Sequence, residues 1–269
     1  MPNSPKLVRT TTLADFKREG RRFSCLTSYD QLTAGIFDEA GIDVILVGDS
    51  AADNALGYSS TLPITVDEMI PFGRAVSSAA KRALVVIDMP FGSYETSDED
   101  ALKNAIRLMK ESGVSAVKLE GGQRSASKIK TITEAGIPVM AHLGFTPQSV
   151  NNLGGFKVQG RGDAALQLMA DAVAVEAAGA FAVVLELVPA ALAAEISAKL
   201  TIPTIGIGAG RGTDAQILVW TDFAGLSAHK PRKFVKQYAQ IRQTLLDAAL
   251  EYNSEVQSGA FPVAANEFE

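Results

Sequence analysis

Five apolar runs in the chain each end in a side chain able to do acid–base or ligand chemistry. They are Val44-Ile45-Leu46-Val47-Gly48-Asp49, Leu84-Val85-Val86-Ile87-Asp88, Val117-Lys118-Leu119-Glu120, Pro138-Val139-Met140-Ala141-His142 and Val183-Val184-Leu185-Glu186. A parallel strand buried on both faces reads as a nearly unbroken apolar run. In a closed α/β barrel the chemistry sits at the C-terminal ends of such strands. Four carboxylates and an imidazole at five strand ends therefore predict an active site.

Side chains alternate along a strand, so Lys118 and Glu120 share a face about 6.6 Å apart. A lysine inside a barrel is costly unless it meets negative charge, which Asp49, Asp88 and Glu120 supply. Three converging carboxylates repel one another, and a divalent cation resolves the conflict. A donor set of oxygens suits Mg²⁺. His142 neighbours this group and is read as a substrate contact. Glu186 lies among Val184, Leu185, Leu187 and Val188. Such a setting raises a carboxyl pKa and suits proton transfer near neutrality; pairing with an arginine is the other use of such a carboxylate. His229, in Ala228-His229-Lys230-Pro231, reads as surface, and Cys25 as core.

The elements that must position these groups follow from a short repeat. Ala40-Gly41-Ile42, Ser112-Gly113-Val114, Ala135-Gly136-Ile137 and Ala178-Gly179-Ala180 each follow a helix-like stretch and precede a strand. Glycine just past a helix accepts the left-handed cap, and alternating helices and strands imply a parallel sheet. Strands are expected near 23–28, 43–49, 83–88, 116–120, 138–143, 182–187, 203–208 and 217–222. Helices are expected near 12–19, 66–80, 100–111, 163–178 and 234–257, with Ser97 ahead of the acidic start Asp98-Glu99-Asp100. An open doubly wound sheet would also hold eight strands, but reactive ends on five strands favour closure around one centre. The irregular stretches 50–65 and 143–162 follow strands and are expected to be active-site loops. Gly206-Ile207-Gly208-Ala209-Gly210 has neither the first-strand context nor the downstream acid of a dinucleotide fingerprint, and reads as a turn.

A chain of 269 residues fits one α/β barrel. The expectation is a single domain over 1–269 with a loosely held tail from about 258. A net charge of −5 argues against nucleic-acid and anionic-membrane partners. One cysteine allows no intrachain disulfide, so a reducing compartment is the default. With no signal-like apolar stretch near the start and no run of membrane-helix length, the expected location is the cytoplasm.

Several strings are similar to ketopantoate hydroxymethyltransferase. They include Val47-Gly48-Asp49-Ser50, Ser60-Thr61-Leu62-Pro63, Lys118-Leu119-Glu120-Gly121-Gly122, His142-Leu143-Gly144-Phe145-Thr146-Pro147-Gln148-Ser149, Lys157-Val158-Gln159-Gly160-Arg161 and Leu185-Glu186-Leu187-Val188-Pro189. The resemblance runs in order from about Thr27 to Pro262. It implies a (β/α)8 TIM barrel of the phosphoenolpyruvate/pyruvate type. It also implies transfer of a hydroxymethyl group from 5,10-methylenetetrahydrofolate to 3-methyl-2-oxobutanoate, a step toward pantothenate. By the same resemblance Asp49, Asp88 and Glu120 form the site for one Mg²⁺ per subunit, with Glu120 acting through water. Asp49, Ser50, Asp88 and Lys118 bind the oxoacid, Glu186 is the catalytic base, and the assembly is a homo-oligomer, often a decamer. The chain departs from the family pattern at Ala51-Ala52 (commonly Leu-Gly), Ser59 (commonly Asp) and Thr221 (commonly His).

The expected mechanism is enolate formation at C3 of the oxoacid, with Lewis-acid help from Mg²⁺, positive charge from Lys118, orientation by Ser50 and proton transfer by Glu186. A Mg²⁺-dependent carbon–carbon lyase or mutase on the same barrel is the alternative; such lyases typically carry a cysteine in a mobile loop, and here Cys25 falls on the first strand. A non-catalytic barrel that binds a metabolite, or a partner through its outer helices, is the other class.

Overall fold

The computed structural model describes residues 6–228 and 230–268, in two compact units, Met1–Val219 and Trp220–Glu269. In the first unit eight parallel strands pair in sequence order: β1 (Phe23–Thr27), β2 (Val44–Val47), β3 (Leu84–Asp88), β4 (Ala116–Glu120), β5 (Val139–Gly144), β6 (Ala182–Glu186), β7 (Thr204–Ile207) and β8 (Ala215–Leu218). β8 pairs back onto β1 and closes the barrel. Every residue of β2, β3, β4, β6 and β7 is buried. That is the physical content of the unbroken apolar runs: one face fills the barrel and the other lies under helices.

The covering helices are Gln31–Glu39, Val66–Ala79, Asp98–Ser112, Ala126–Glu134, Ala164–Ala177 and Ala190–Lys199. Their inward stripes, such as Ala101, Ala105 and Leu108, or Ile129 and Ile132, are fully buried. Burying each large aliphatic side chain contributes about 1.5–3 kcal/mol. Local signals fix the helix ends. Asp30 accepts from the backbone N–H of Leu32 and Thr33, Thr65 and Glu68 form a capping box, and Ser97 accepts from Asp100 N; a cap of this kind contributes about 1 kcal/mol. Gly113 closes the Asp98–Ser112 helix at φ 75°, as the repeated glycines predict.

Sequence and structure part at the C-terminal end. The eighth strand ends at Leu218, not near 222, and Trp220–Phe223 is a turn of helix. The apolar run Ile217–Trp220 crosses a strand end and a helix start, so hydrophobicity alone does not locate the boundary. The glycine-rich stretch after β7 is a turn, and residues 208–214 link β7 to β8 with no helix between them. In the second unit the long helix spans Ile241–Ser258 rather than beginning near 234. Its expected first turns are held in a loop instead: Tyr238 N donates to Phe223 O (2.8 Å), and the two rings stack with centroids 5.1 Å apart. Tertiary contact here overrides helix propensity. Beyond that helix Phe261 packs edge-on against Tyr252. The two irregular stretches contain short helices at Ala51–Asn54 and Val150–Leu153. Cys25 is in the core. His229 lies outside the described residues. Among the described residues no helix is long and apolar enough to cross a membrane.

Candidate active site

Strand register assembles the site. Asp88 pairs with Lys118 across β3 and β4, Glu120 with His142 across β4 and β5, and Gly144 with Glu186 across β5 and β6. Four consecutive strands thus carry charged groups at adjacent positions on the C-terminal rim, and all are buried. Asp49 follows β2 by two residues, and its backbone N–H donates to Asp88 Oδ2 (2.9 Å). The five predicted strand-end groups are therefore brought together, with Lys118 among them.

Distances set the electrostatics. Lys118 Nζ lies 2.5 Å from Asp88 Oδ1 and 3.4 Å from His142 Nδ1. The imidazole sits between two carboxylates, with Nδ1 3.3 Å from Glu120 Oε1 and Nε2 3.3 Å from Glu186 Oε2. The charged neighbour of Glu186 is thus a histidine rather than an arginine. Burial and Lys118 both oppose charge on His142, but Glu120 and Glu186 outweigh them and hold its pKa up at about 9. Burial also opposes charge on Lys118, yet Asp88, Asp49 and Glu120 together raise its pKa. Asp49 is pushed up to about 8, by burial first and then by repulsion from Asp88 and Glu120.

Three residues that sequence reasoning did not select complete the site. Gln148 Nε2 donates to Asp49 Oδ2 (2.9 Å) and to the Met89 carbonyl (3.0 Å). A carbonyl only accepts, so the amide nitrogen must face it. Gln148 Oε1 then accepts from Tyr94 O–H (2.5 Å), and Tyr94 Oη in turn accepts from Glu120 N (3.2 Å). Gln148 N donates to Glu120 Oε2 (3.1 Å). Each donor and acceptor role in this buried relay is fixed by the next. Tyr29 Oη, following β1, lies 2.7 Å from Ser50 Oγ and accepts from Thr27 Oγ1. Tyr29 stands just past a strand end, so the strand-end rule points to it. Gln148 lies in a quoted motif without an assigned role, and Tyr94 lies in a loop with no sequence signal of its own.

The donor set fits a divalent cation. Asp49, Asp88, Glu120 and Glu186 face only two cations in the cluster, Lys118 and His142, leaving two negative charges in excess when all are ionised. Asp49 Oδ1 has no protein donor among the described residues. Among the described residues no three such groups stand at ready-made metal-cage spacing. Mg²⁺ commonly takes one or two protein carboxylates and fills its remaining positions with water and substrate oxygens.

The comparisons with known proteins agree with this architecture. The family model for ketopantoate hydroxymethyltransferase matches residues 7–264. The chain is 60% identical over 265 residues to a 3-methyl-2-oxobutanoate hydroxymethyltransferase of Leifsonia xyli subsp. xyli, covering 98% of this chain and 96% of the relative. It is 58% identical over 264 residues to the protein of that name from Acidothermus cellulolyticus, covering 98% and 97%. Among solved structures, phosphonopyruvate hydrolase in complex with oxalate and Mg²⁺ superposes with a TM-score of 0.62 at 13% identity, over 97% of this chain and 91% of that one. At that identity the likeness is one of fold. The family-model match over nearly the whole chain, and relatives at this identity, show that the chain belongs to the ketopantoate hydroxymethyltransferase family of enzymes.

Proposed function

We propose that the protein transfers a hydroxymethyl group from 5,10-methylenetetrahydrofolate to 3-methyl-2-oxobutanoate, giving 2-dehydropantoate. The names of the close relatives support the oxoacid and the group transferred. The observation that carries the chemistry is the buried cluster in which the carboxylates Asp49, Asp88, Glu120 and Glu186 outnumber the cations Lys118 and His142.

Asp49, Asp88 and Glu120 would hold Mg²⁺, which would supply Lewis-acid polarisation of the oxoacid's keto group. The protein's own groups do the rest. Lys118, buried and ion-paired to Asp88, presents positive charge to the oxoacid as negative charge develops. Ser50, held by Tyr29, orients the oxoacid by hydrogen bonding. Glu186 takes the C3 proton as general base. His142 lies against the Glu186 carboxylate and is a further contact to the substrate. C3 then bonds to the donor's methylene carbon as its bond to one nitrogen breaks, the bond to the second nitrogen breaks as water supplies the hydroxyl group, and the two nitrogens take up the proton removed from C3 and the remaining proton of water. A cytoplasmic setting and a homo-oligomer, a decamer by resemblance, belong to the same reading, and light scattering on the purified chain checks the assembly.

A coupled assay with both substrates tests the reaction. Product is expected only when Mg²⁺ and the methylene donor are both present. Equal turnover without the donor contradicts the proposal.

A further inference from the structure

Beside the carboxylate cluster, the loops that follow β3, β4 and β5 enclose a cleft of about 240 Å³. Glu120 and Gln148 of the cluster line it together with Phe91, Tyr94, Arg124 and Lys128. Phe91 is an aromatic ring left 49% exposed. Arg124 spends one hydrogen bond on Ser149 Oγ (2.8 Å) and has no carboxylate at ion-pair distance among the described residues. Lys128 has only a long pairing with Asp98, at 3.5 Å. The other acid on the wall, Glu95, is occupied by the backbone N–H groups of Gly92 and Tyr94.

An exposed ring beside an underused guanidinium fits a flat aromatic ligand that ends in a carboxylate, because the ring supplies stacking area and the guanidinium a charge-assisted bond. The volume lies below the roughly 300–1,000 Å³ of sites that take whole drug-sized ligands, so the cleft suits one end of a larger molecule. The one-carbon donor of the proposed reaction has such an end, an aminobenzoyl ring carrying glutamate.

We infer that this cleft seats the benzoylglutamate end of the methylene donor, with Phe91 against the ring and Arg124 on a carboxylate. The inference rests on the folate reading above. The shared residues Glu120 and Gln148 place the tail next to the oxoacid pocket, so the donor's reactive end has only a short reach to C3.

Calorimetry with p-aminobenzoylglutamate tests the cleft on the full chain with Mg²⁺ and oxoacid present. Binding is expected, and Arg124→Gln weakens it roughly tenfold, the scale of one charge-assisted hydrogen bond. Phe91→Ala weakens it as well. The donor KM rises in parallel, while the oxoacid KM and donor-free C3 proton exchange stay within about twofold of the unmodified protein. No binding, binding indifferent to both substitutions, or Arg124-sensitive competition by 6-hydroxymethylpterin overturns the assignment. C3 exchange by the unmodified protein, measured in the same samples, reports separately on the reaction itself.

Discussion

Gln148 Nε2 donates to Asp49 Oδ2 across 2.9 Å, joining two residues 99 positions apart in the chain. The amide gives the Asp49 carboxylate a neutral donor inside a cluster otherwise crowded with negative charge, and it ties the loop after β5 to the end of β2. The same side chain is oriented by Tyr94 and by the Met89 carbonyl.

Gln148→Leu removes that donor, leaves the Tyr94 hydroxyl proton without its acceptor and takes the Gln148 donor from the Met89 carbonyl, all in a buried setting. The expected loss of stability is about 1–3 kcal/mol, the cost of leaving buried polar groups unsatisfied. Tyr94→Phe removes one hydroxyl and should cost less, about 1 kcal/mol. Urea denaturation of the metal-free protein reads both, and unchanged midpoints in both variants would show the relay to be inert.

Lys118 is the cation nearest Asp88. Lys118→Met leaves the Asp88 charge buried and unpaired, for which the expected destabilisation is about 3–5 kcal/mol. Added Mg²⁺ should recover part of the loss by supplying positive charge at the same carboxylates, which a thermal shift series with increasing Mg²⁺ reads directly. A variant as stable as the parent without metal would count against the proposed charge balance.

The pH dependence follows from the two raised groups. Asp49 moves from an ordinary 3.8 to about 8 in the fold, and His142 from 6.5 to about 9. Both hold protons more tightly when folded. The stability linked to Asp49 is therefore fully present below 3.8 and lost as pH rises through about 8. That linked to His142 is fully present below 6.5 and lost as pH rises through about 9. The metal-free protein is expected to lose stability from pH 6.5 to pH 9, and the proposed binding of Mg²⁺ to ionised Asp49 is expected to flatten the loss. Denaturation midpoints across that range with and without the metal are the check; midpoints that rise with pH in the metal-free protein would contradict the assignment.

Gly144 sits at φ 90°, and a Cβ there would lie 2.2 Å from the Glu186 carbonyl oxygen. The same carbonyl accepts from Phe145 N at 2.8 Å. Gly144→Ala must shift the β6 end that carries Glu186, combining backbone strain of about 1–3 kcal/mol with displacement of the proposed base. Activity is expected to fall further than stability alone accounts for, measured as kcat on protein confirmed folded by circular dichroism. Full activity in a folded variant would mean that the base tolerates the shift.

How much of this was legible in the sequence depends on where each residue sits. Asp49, Asp88, Glu120, His142 and Glu186 announce themselves because a polar residue closing an apolar run is costly without a purpose. Barrel closure then makes strand ends that are distant in sequence adjacent in space. Lys118 was legible by the same alternation. Tyr94 was not, because a tyrosine in the loop after β3 has no periodic pattern to set it apart, and only the folded loop brings its hydroxyl to Gln148. Arg124 and Phe91 were hidden for the same reason. The start of the helix at Ile241 was misplaced because the Phe223–Tyr238 contact, a tertiary interaction, decides it.

The proton transfer assigned to Glu186 is the central claim, and exchange at C3 of 3-methyl-2-oxobutanoate in deuterated water tests it without the folate donor. The unmodified protein with Mg²⁺ is expected to exchange that proton. Glu186→Gln keeps the shape of the side chain and is expected to bind Mg²⁺ and oxoacid while exchange falls about 10²–10⁴-fold, the usual contribution of a positioned general base. Exchange at the parent rate in Glu186→Gln would contradict the account, because another group would then be removing the proton.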